Sequence, residues 1–389
     1  MNKLTKIFIY MSMKSKIKQA IRSCLYWYRQ RKHEKFYHRV LHINGIKDVE
    51  VKGEKEWLKR WSQFGIKAKP TQYRVFRQYI GDDINIVPED ICHDYIETIL
   101  NPMRFRGYYA DKNVFDKLFP KGYFPKTLLR KMCGFYYDNA YLPLSMTEEK
   151  LLCCLNDSPT DRIIIKPSVD GMSGRGVEAF IRMGGNNNWI NSEGTSLDLK
   201  YLEFHFGRDF IIQECVEQSE YISQFNPSSV NTLRLSMYRS VKDNKCHITG
   251  AIMRIGGKGS VVDNAHAGGC YIGIHSDGSF CKEVLDQFGV KRTVFNGIDF
   301  SIGSYVYPNW DKVIEFGKSV GQYVPHHRLI ALDIVLDKNN NPHLIEFNIE
   351  AYSSWLFQYT IGTAFGKFTD EIIDYCKDNK SDIEEILLL

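Results

Sequence analysis

Asp333, Glu346 and Asn348 are the side chains of this sequence whose types and spacing point most directly to chemistry. They lie in residues 331–350, where Leu332, Ile334 and Leu336 alternate with Ala331, Asp333 and Val335. Further on, Ile345, Phe347 and Ile349 alternate with Glu346, Asn348 and Glu350, so both arms read as strands. A two-residue turn at Asn339 and Asn340, where Asn tolerates the positive φ of a type I′ turn, sets Asp333 opposite Glu346, with Asn348 next on that face. Facing carboxylates repel by an amount on the order of tenths of a kcal/mol unless positive charge lies between them. Two carboxylates and an amide oxygen suit Mg²⁺ shared with nucleotide phosphates better than zinc. The alternative is an amphipathic hairpin with its acids in water, and the Leu, Ile and Phe around them argue instead for burial.

Other stretches carry further candidate groups. In residues 161–177 a β-branched strand delivers Lys166, and a small-residue loop follows with Ser168, Gly171, Ser173, Gly174 and Gly176. Glycines at that density let backbone N–H groups approach phosphate oxygens while the lysine adds a point charge; no G-K-[ST] closes a Walker loop. Residues 210–216 form a short apolar strand that turns polar at Gln213 and Glu214 before Val216, which suits a hinge against an adenine edge. In residues 230–237, Leu233, Leu235 and Met237 share one face and Thr232, Arg234 and Ser236 the other, so Arg234 can brace a phosphate or a carboxylate. Asn231 precedes it, and a loop with Asp263, Asn264, His266, Gly268 and Gly269 suits substrate contacts. Lys112 opens a helix expected over residues 113–118, followed by a basic patch at Lys126, Arg130 and Lys131.

The elements behind these groups belong to a chain of 389 residues with 43% hydrophobic content, enough for a substantial core and two or three domains. Its ten cysteines show no C-x-x-C pair, which fits reduced thiols in a cytosolic protein. The run Ile7–Met11 is too short for a signal-peptide core and no eighteen apolar residues stand together, so neither secretion nor a membrane span is expected. The net charge is +5, with Lys and Arg crowded into the first forty residues, where Glu34 is the only acid. There Ile17, Ile21, Leu25 and Tyr28 recur at helical spacing among basic residues, and this amphipathic helix suits either an anionic membrane surface or the protein's own body. No recognition fold accompanies the charge, so nucleic acid is not expected as a partner.

Taken in order, these features resemble the ATP-grasp superfamily, and more narrowly its sugar-transfer-associated members. The resemblance rests on Asn101-Pro102, Ala110-Asp111-Lys112, Ile165-Lys166-Pro167, Gln213-Glu214, and Asn231 to Arg234. It continues through Val262 to Asn264 with Gly268-Gly269, then Leu332-Asp333 with Glu346 to Asn348, and covers residues 70–375. It implies an α+β ATP-grasp fold, two α+β subdomains clasping a nucleotide after a mixed helical N-terminal region. The expected divisions are a basic helix region at 1–45, an N-terminal region at 46–160, a small lid subdomain at 161–216 and a large subdomain at 217–389.

On that resemblance Lys112 and Lys166 hold the phosphates, and residues 168–176 close over them. Gln213, Glu214 and Val216 read adenine, and Gln218 or Glu220 takes the ribose. Arg234 faces the transferring phosphoryl group, and Asp333, Glu346 and Asn348 hold Mg²⁺, with Mn²⁺ as the alternative metal. The implied activity is an ATP-dependent carboxylate–amine ligase working through an acylphosphate on a small-molecule or saccharide acceptor in cell-surface polysaccharide synthesis. A kinase on the same fold and a non-catalytic ATP-binding module of a glycosyltransferase complex are the other readings. The expected location is the cytoplasm, with the basic helix available for contact with the inner face of the membrane.

Overall fold

The computed structural model describes Cys24 and residues 27–169, 176–184, 188–260, 263 and 265–379. Two antiparallel sheets carry the site. The first contains β1 (Thr127–Met132), β2 (Phe135–Tyr137), β3 (Pro143–Leu144), β4 (Arg162–Pro167), β5 (Glu178–Met183), β6 (Asn188–Ile190) and β7 (Phe210–Glu214), in the order β3-β2-β1-β7-β4-β5-β6. Period-2 alternation decides its faces. Ile163 and Ile165 of β4 and Phe210 and Ile212 of β7 pack with Leu151, Leu155 and Leu202 from the helices Glu148–Asn156 and Leu199–His205. Ile164, Lys166 and Gln213 therefore belong to the opposite face.

This sheet begins at Thr127, not at residue 161 where the sequence reading divides the chain. The reason is that β1 lies between β2 and β7, so the segment before 161 supplies three of the seven strands. Its prolines and aromatics obscure the strand pattern.

The second sheet holds β8 (Leu233–Arg239), β9 (Cys246–Ile255), β10 (Cys270–Ile274), β11 (Phe280–Leu285) and β12 (Lys291–Arg292). After a small ribbon of β13 (Val294–Phe295) and β14 (Ile298–Asp299), the chain returns through β15 (Leu329–Leu336) and β16 (Pro342–Asn348). The order is β12-β11-β10-β9-β8-β15-β16. Leu233, Leu235, Met237, Ile330, Leu332 and Ile334 face the helix Trp310–Tyr323 through Val313 and Val320. On the other face Tyr238, Ile252, Leu329 and Ala331 pack with Trp57, Trp61, Tyr73 and Phe76 of the N-terminal helices. With both faces covered, an ionisable group on β8 or β15 is buried and needs a partner.

Of the basic N-terminal helix, Ile17 and Ile21 fall outside the described residues, as does Leu25. The described part, residues 27–43, is helical and packs on the body through Tyr37, Val40 and Leu41, whereas Tyr28 is exposed. No helix among the described residues is long and apolar enough to cross a membrane.

Candidate active site

The hairpin of β15 and β16 does set Asp333 opposite Glu346, but not through a two-residue turn. Asp337 N donates to Asn341 O at 2.9 Å and Asn340 N to Asp337 O at 2.8 Å, which makes a three-residue loop with Asn340 at φ 58°. That loop pairs Leu336 with Pro342 and Ile334 with Leu344. Taken alone it would shift Asp333 off Glu346 by one residue. An irregularity between Asp333 and Ile334, where Ile345 is the extra residue on β16, restores the pair. The bulge, not the turn, fixes the carboxylates.

The repulsion expected between them is relieved by side-chain cations. Arg234 of β8 pairs with Asp333 in register and grips it with two bonds, Nε to Oδ1 at 2.6 Å and an Nη to Oδ2 at 3.0 Å. Asn348 donates to Oδ2 at 3.3 Å, and Arg254 of β9 stands 3.4 Å from the same oxygen. Burial pushes the Asp333 carboxyl up, but the two guanidinium groups outweigh it and hold the group below the usual carboxylate range. Arg254 also lies 3.7 Å from Asp263, whose Oδ2 accepts from Thr232 N at 2.8 Å and from the Thr232 hydroxyl. Sequence reasoning missed Arg254. Its only signal is a charged residue inside the apolar run Ala251 to Ile255, and the neighbour that gives it meaning lies two strands away.

Glu346 has a different partner. Lys112 Nζ stands 3.0 Å from its Oε1, with 12% of the lysine side chain and 32% of the glutamate side chain exposed. Lys112 is held in place by its backbone: its N–H donates to Ser168 O at 2.9 Å, and Asp111 caps the following turn by accepting from Asn113 N at 2.9 Å. The turn is 3-10 over Lys112–Val114 and becomes α-helical at Phe115–Leu118, a shorter and more broken helix than the sequence suggests. Phe115 and Phe119 then anchor the segment against Phe347 of β16. One segment thus binds the end of β4 to the second sheet.

That tie brings Lys166 to the same place. Burial pulls its amine down to about 8, with Glu346 raising it and Lys112 lowering it further. Lys112 alone is within ion-pair distance of Glu346, and Lys166 feels the charges of both from a different element. Ser168, two residues on, buries a side-chain oxygen that has no hydrogen-bond partner among the described residues. Gly176 has φ 71°, and a Cβ there would sit 3.0 Å from Pro167 Cγ, so a side chain would crowd the loop's return. Gly171, Ser173 and Gly174, also expected here, lie outside the described residues, as does Asn264.

The remaining candidates fall into separate groups. Gln213 donates to Pro125 O at 3.2 Å and Glu214 Oε1 accepts from Lys126 N at 2.9 Å, so these side chains fasten β7 to the start of β1, and Val216 follows. Of the two ribose candidates, Gln218 is committed to Ser229 O at 2.8 Å and Asn231 N at 3.0 Å, while Glu220 is exposed at the start of the helix Glu220–Ser223. Asn231 is buried and donates to Ile222 O and Asn226 O, both at 3.0 Å. His266 is exposed and bonds Gln287 at 2.5 Å. Gly268 takes φ 86° and Gly269 is buried beside it. The basic patch dissolves into ion pairs, because Arg130 meets Asp116 at 2.6 Å, Lys131 meets Glu203 at 2.5 Å and Lys126 meets Asp157 at 2.7 Å.

Asp333, Glu346 and Asn348 together offer only oxygen donors, from two paired strands, beside cationic side chains. Asp333 takes two bonds from Arg234 and one from Asn348, and a carboxylate has room for about four, so one site on Oδ1 remains and, with Glu346 and the Asn348 oxygen, fits a hard cation such as Mg²⁺. Among the described residues no three of His, Cys, Asp and Glu gather around a metal-sized gap, so a cation here relies on the Asn348 amide as well as the carboxylates.

Comparison with known proteins agrees with this order of elements. The profile of the sugar-transfer associated ATP-grasp family matches residues 92–372. No curated protein matches the sequence. Solved structures similar to it include D-cycloserine synthetase DcsG, at 11% identity over 72% of this chain and 73% of that one, with a TM-score of 0.38. Another is a biotin carboxylase complex with β,γ-ATP from Campylobacter jejuni, at 10% identity over 72% and 48%, TM-score 0.42. A third is the ATP-grasp ligase PsnB with a minimal precursor, Mg and ADP, at 12% identity over 72% and 62%, TM-score 0.35. The chain spans about half the length of the carboxylase it matches.

Proposed function

We propose, from the premise that the chain belongs to the sugar-transfer associated ATP-grasp family, that it is an ATP- and Mg²⁺-dependent ligase joining a carboxylate to an amine. Membership makes it an ATP-grasp, ligase-like enzyme. The finer reading is supported by one observation above the others: Lys112 pairs with Glu346, which faces Asp333 across the hairpin, and the buried Lys166 of a separate element feels the charges of both. That leaves uncompensated positive charge at the join between the sheets, suited to a polyanion such as a triphosphate. Phosphoryl transfer asks mainly for positioning and charge compensation, and the lysines provide both.

In this reading Lys112 and Lys166 take the phosphates and Ser168 offers its buried hydroxyl beside them. Arg234 holds Asp333 ionised and oriented, so that Asp333, Glu346 and Asn348 present oxygens to the metal. Bound Mg²⁺ supplies charge neutralisation of the phosphate oxygens. The acceptor carboxylate becomes an acylphosphate, and an amine displaces phosphate from it. The family's association with sugar transfer supports a saccharide acid as acceptor, acting in surface polysaccharide synthesis at the cytoplasmic side of the membrane.

The test is incubation with ATP, Mg²⁺ and a uronic acid, with and without an amine, following ADP and the fate of the phosphate. Amide and free phosphate are expected. Phosphate retained on a sugar hydroxyl would make the protein a kinase instead. Glu346→Gln, which also removes the ion-pair partner of Lys112, is expected to abolish turnover; activity equal to the parent would leave only a nucleotide-binding module.

A further inference from the structure

The helix over residues 27–43 has two faces, and the fold uses one of them. Gln30, Tyr37, Val40 and Leu41 are buried against the body. Ion pairs of Arg29 with Asp94 at 3.2 Å, His33 with Glu89 at 3.9 Å and Glu34 with Lys69 at 3.5 Å fasten the same element. On the other side, Trp27, Tyr28, Arg31, Lys32 and Lys35 stand at i, i+1, i+4, i+5 and i+8, a single stripe of an α-helix, and all five are exposed. Trp27 and Tyr28 are 55% and 64% exposed, and the Arg31 guanidinium lies over the Trp27 ring, 4.1 Å from its centre. Among the described residues no carboxylate comes within ion-pair distance of Arg31, Lys32 or Lys35. The outward face thus holds three cations, two aromatic rings and no acid.

Charge along the chain says what such a face attracts. Nine of the 51 Lys and Arg precede Glu34, the first acid, so the rest of the chain carries 42 basic groups against 46 acids. A flat anionic surface therefore attracts this end and repels the remainder, which orients the molecule. Trp and Tyr beside Lys and Arg are the side chains that settle at lipid headgroup level, rings in the interface and cations on the headgroups. Tyr28 also closes the sequence stripe of Ile17, Ile21, Leu25 and Tyr28, and it is exposed, not buried against the body. A single strand of nucleic acid asks for a groove that tracks its backbone, which the convex side of one helix does not offer. A symmetric contact with a second copy would set these cations against their own counterparts.

We propose that Trp27, Tyr28, Arg31, Lys32 and Lys35 form a docking face for an anionic lipid bilayer. The helix lies in the headgroup plane while Tyr37, Val40 and Leu41 hold its opposite side to the body, so docking seats the whole chain on the bilayer. No residue of this face belongs to the candidate active site, and the inference stands apart from the ligase reading.

The experiment is co-sedimentation of the full chain, without nucleotide, with phosphatidylcholine vesicles that contain or lack phosphatidylglycerol. Binding at least about tenfold tighter to the anionic vesicles is expected, with about tenfold or more lost when Arg31→Gln, Lys32→Gln and Lys35→Gln are combined. The same charge change at exposed lysines elsewhere, Lys121→Gln with Lys245→Gln and Lys258→Gln, is expected to cost less than about threefold. Lipids brominated in the acyl chain read the rings: the other five tryptophans are buried or half-buried, so quenching is expected in the parent and lost in Trp27→Phe. Overturning results are no preference for anionic vesicles, a face variant that binds like the parent, an equal loss in the control variant, or quenching retained in Trp27→Phe. A lipid-free dimer that the face variant dissociates would assign the face to a second copy and overturn the proposal as well.

Discussion

Two basic pairs in this molecule look alike in the sequence and behave differently in the fold. Arg130 and Lys131 of β1 are 0% and 3% exposed and each has its own carboxylate, Asp116 or Glu203. Arg130 is also stacked over Tyr141 and donates to Asn113 O. Lys112 pairs with Glu346 and Lys166 has no carboxylate of its own among the described residues, and the two lysines repel each other. The first pair is locally neutral and fastens β1 to its surroundings. The second carries excess charge that only a ligand can balance. The lesson is that cations matched one to one with anions serve stability, whereas an imbalance between converging elements marks a place for a charged substrate.

The widest separation between the pairs should appear in stability. Arg130→Met leaves Asp116 and the Asn113 carbonyl with only the Tyr141 hydroxyl, and a loss of about 3 kcal/mol is expected in urea unfolding, the lower end for breaking a buried pair because Asp116 is partly exposed. Lys166→Met should leave urea stability at pH 7 unchanged or higher, because it removes a desolvated charge. A loss as large as that of Arg130→Met would erase the comparison.

Ligand affinity should give the reverse order. Lys166→Met is expected to weaken MgATP binding by roughly a hundredfold, the worth of one charge-assisted contact at about 1.5–3 kcal/mol. Arg130→Met, once folded, should bind within a few-fold of the parent.

A smaller effect comes from pH. Lys166 titrates near 8 in the fold, below the ordinary lysine value of about 10.4 expected of the unfolded chain. Between those values the unfolded chain holds more protons, so stability should rise with pH across that window. Phosphate favours the protonated amine, so nucleotide binding should take up a proton and weaken by at most tenfold per unit above pH 8. Calorimetry in buffers of different ionisation enthalpy reads the uptake, and none in the parent would mean that Lys166 lies off the phosphates. The smallest effect is Lys126→Ala, which breaks an exposed pair with Asp157 and should cost under about 1 kcal/mol.

How far the sequence carried this account depends on distance along the chain. The alternation in residues 331–350 revealed both strands of the hairpin and the face of Asp333, and that in 230–237 the face of Arg234, because period-2 patterning is local. The loop length escaped it, since Asn residues suit several turns, and so did the bulge at Ile345 that corrected the register. Lys112 and Lys166 were individually ordinary, and their convergence depends on a bond from Lys112 N to Ser168 O that no local pattern encodes. Arg254 was invisible for the same reason: its meaning lies in Asp333, two strands away.

The central claim is that Lys112 and Lys166 form one phosphate site. It is tested most directly by a double-mutant cycle of Lys112→Met and Lys166→Met, with MgATP affinity measured by calorimetry at pH 7. Two groups on one polyanion, each also released from the other's repulsion when it is removed, should show losses that do not add, with a coupling of about 0.5 kcal/mol or more. Strictly additive losses, or no loss from either change, would contradict it.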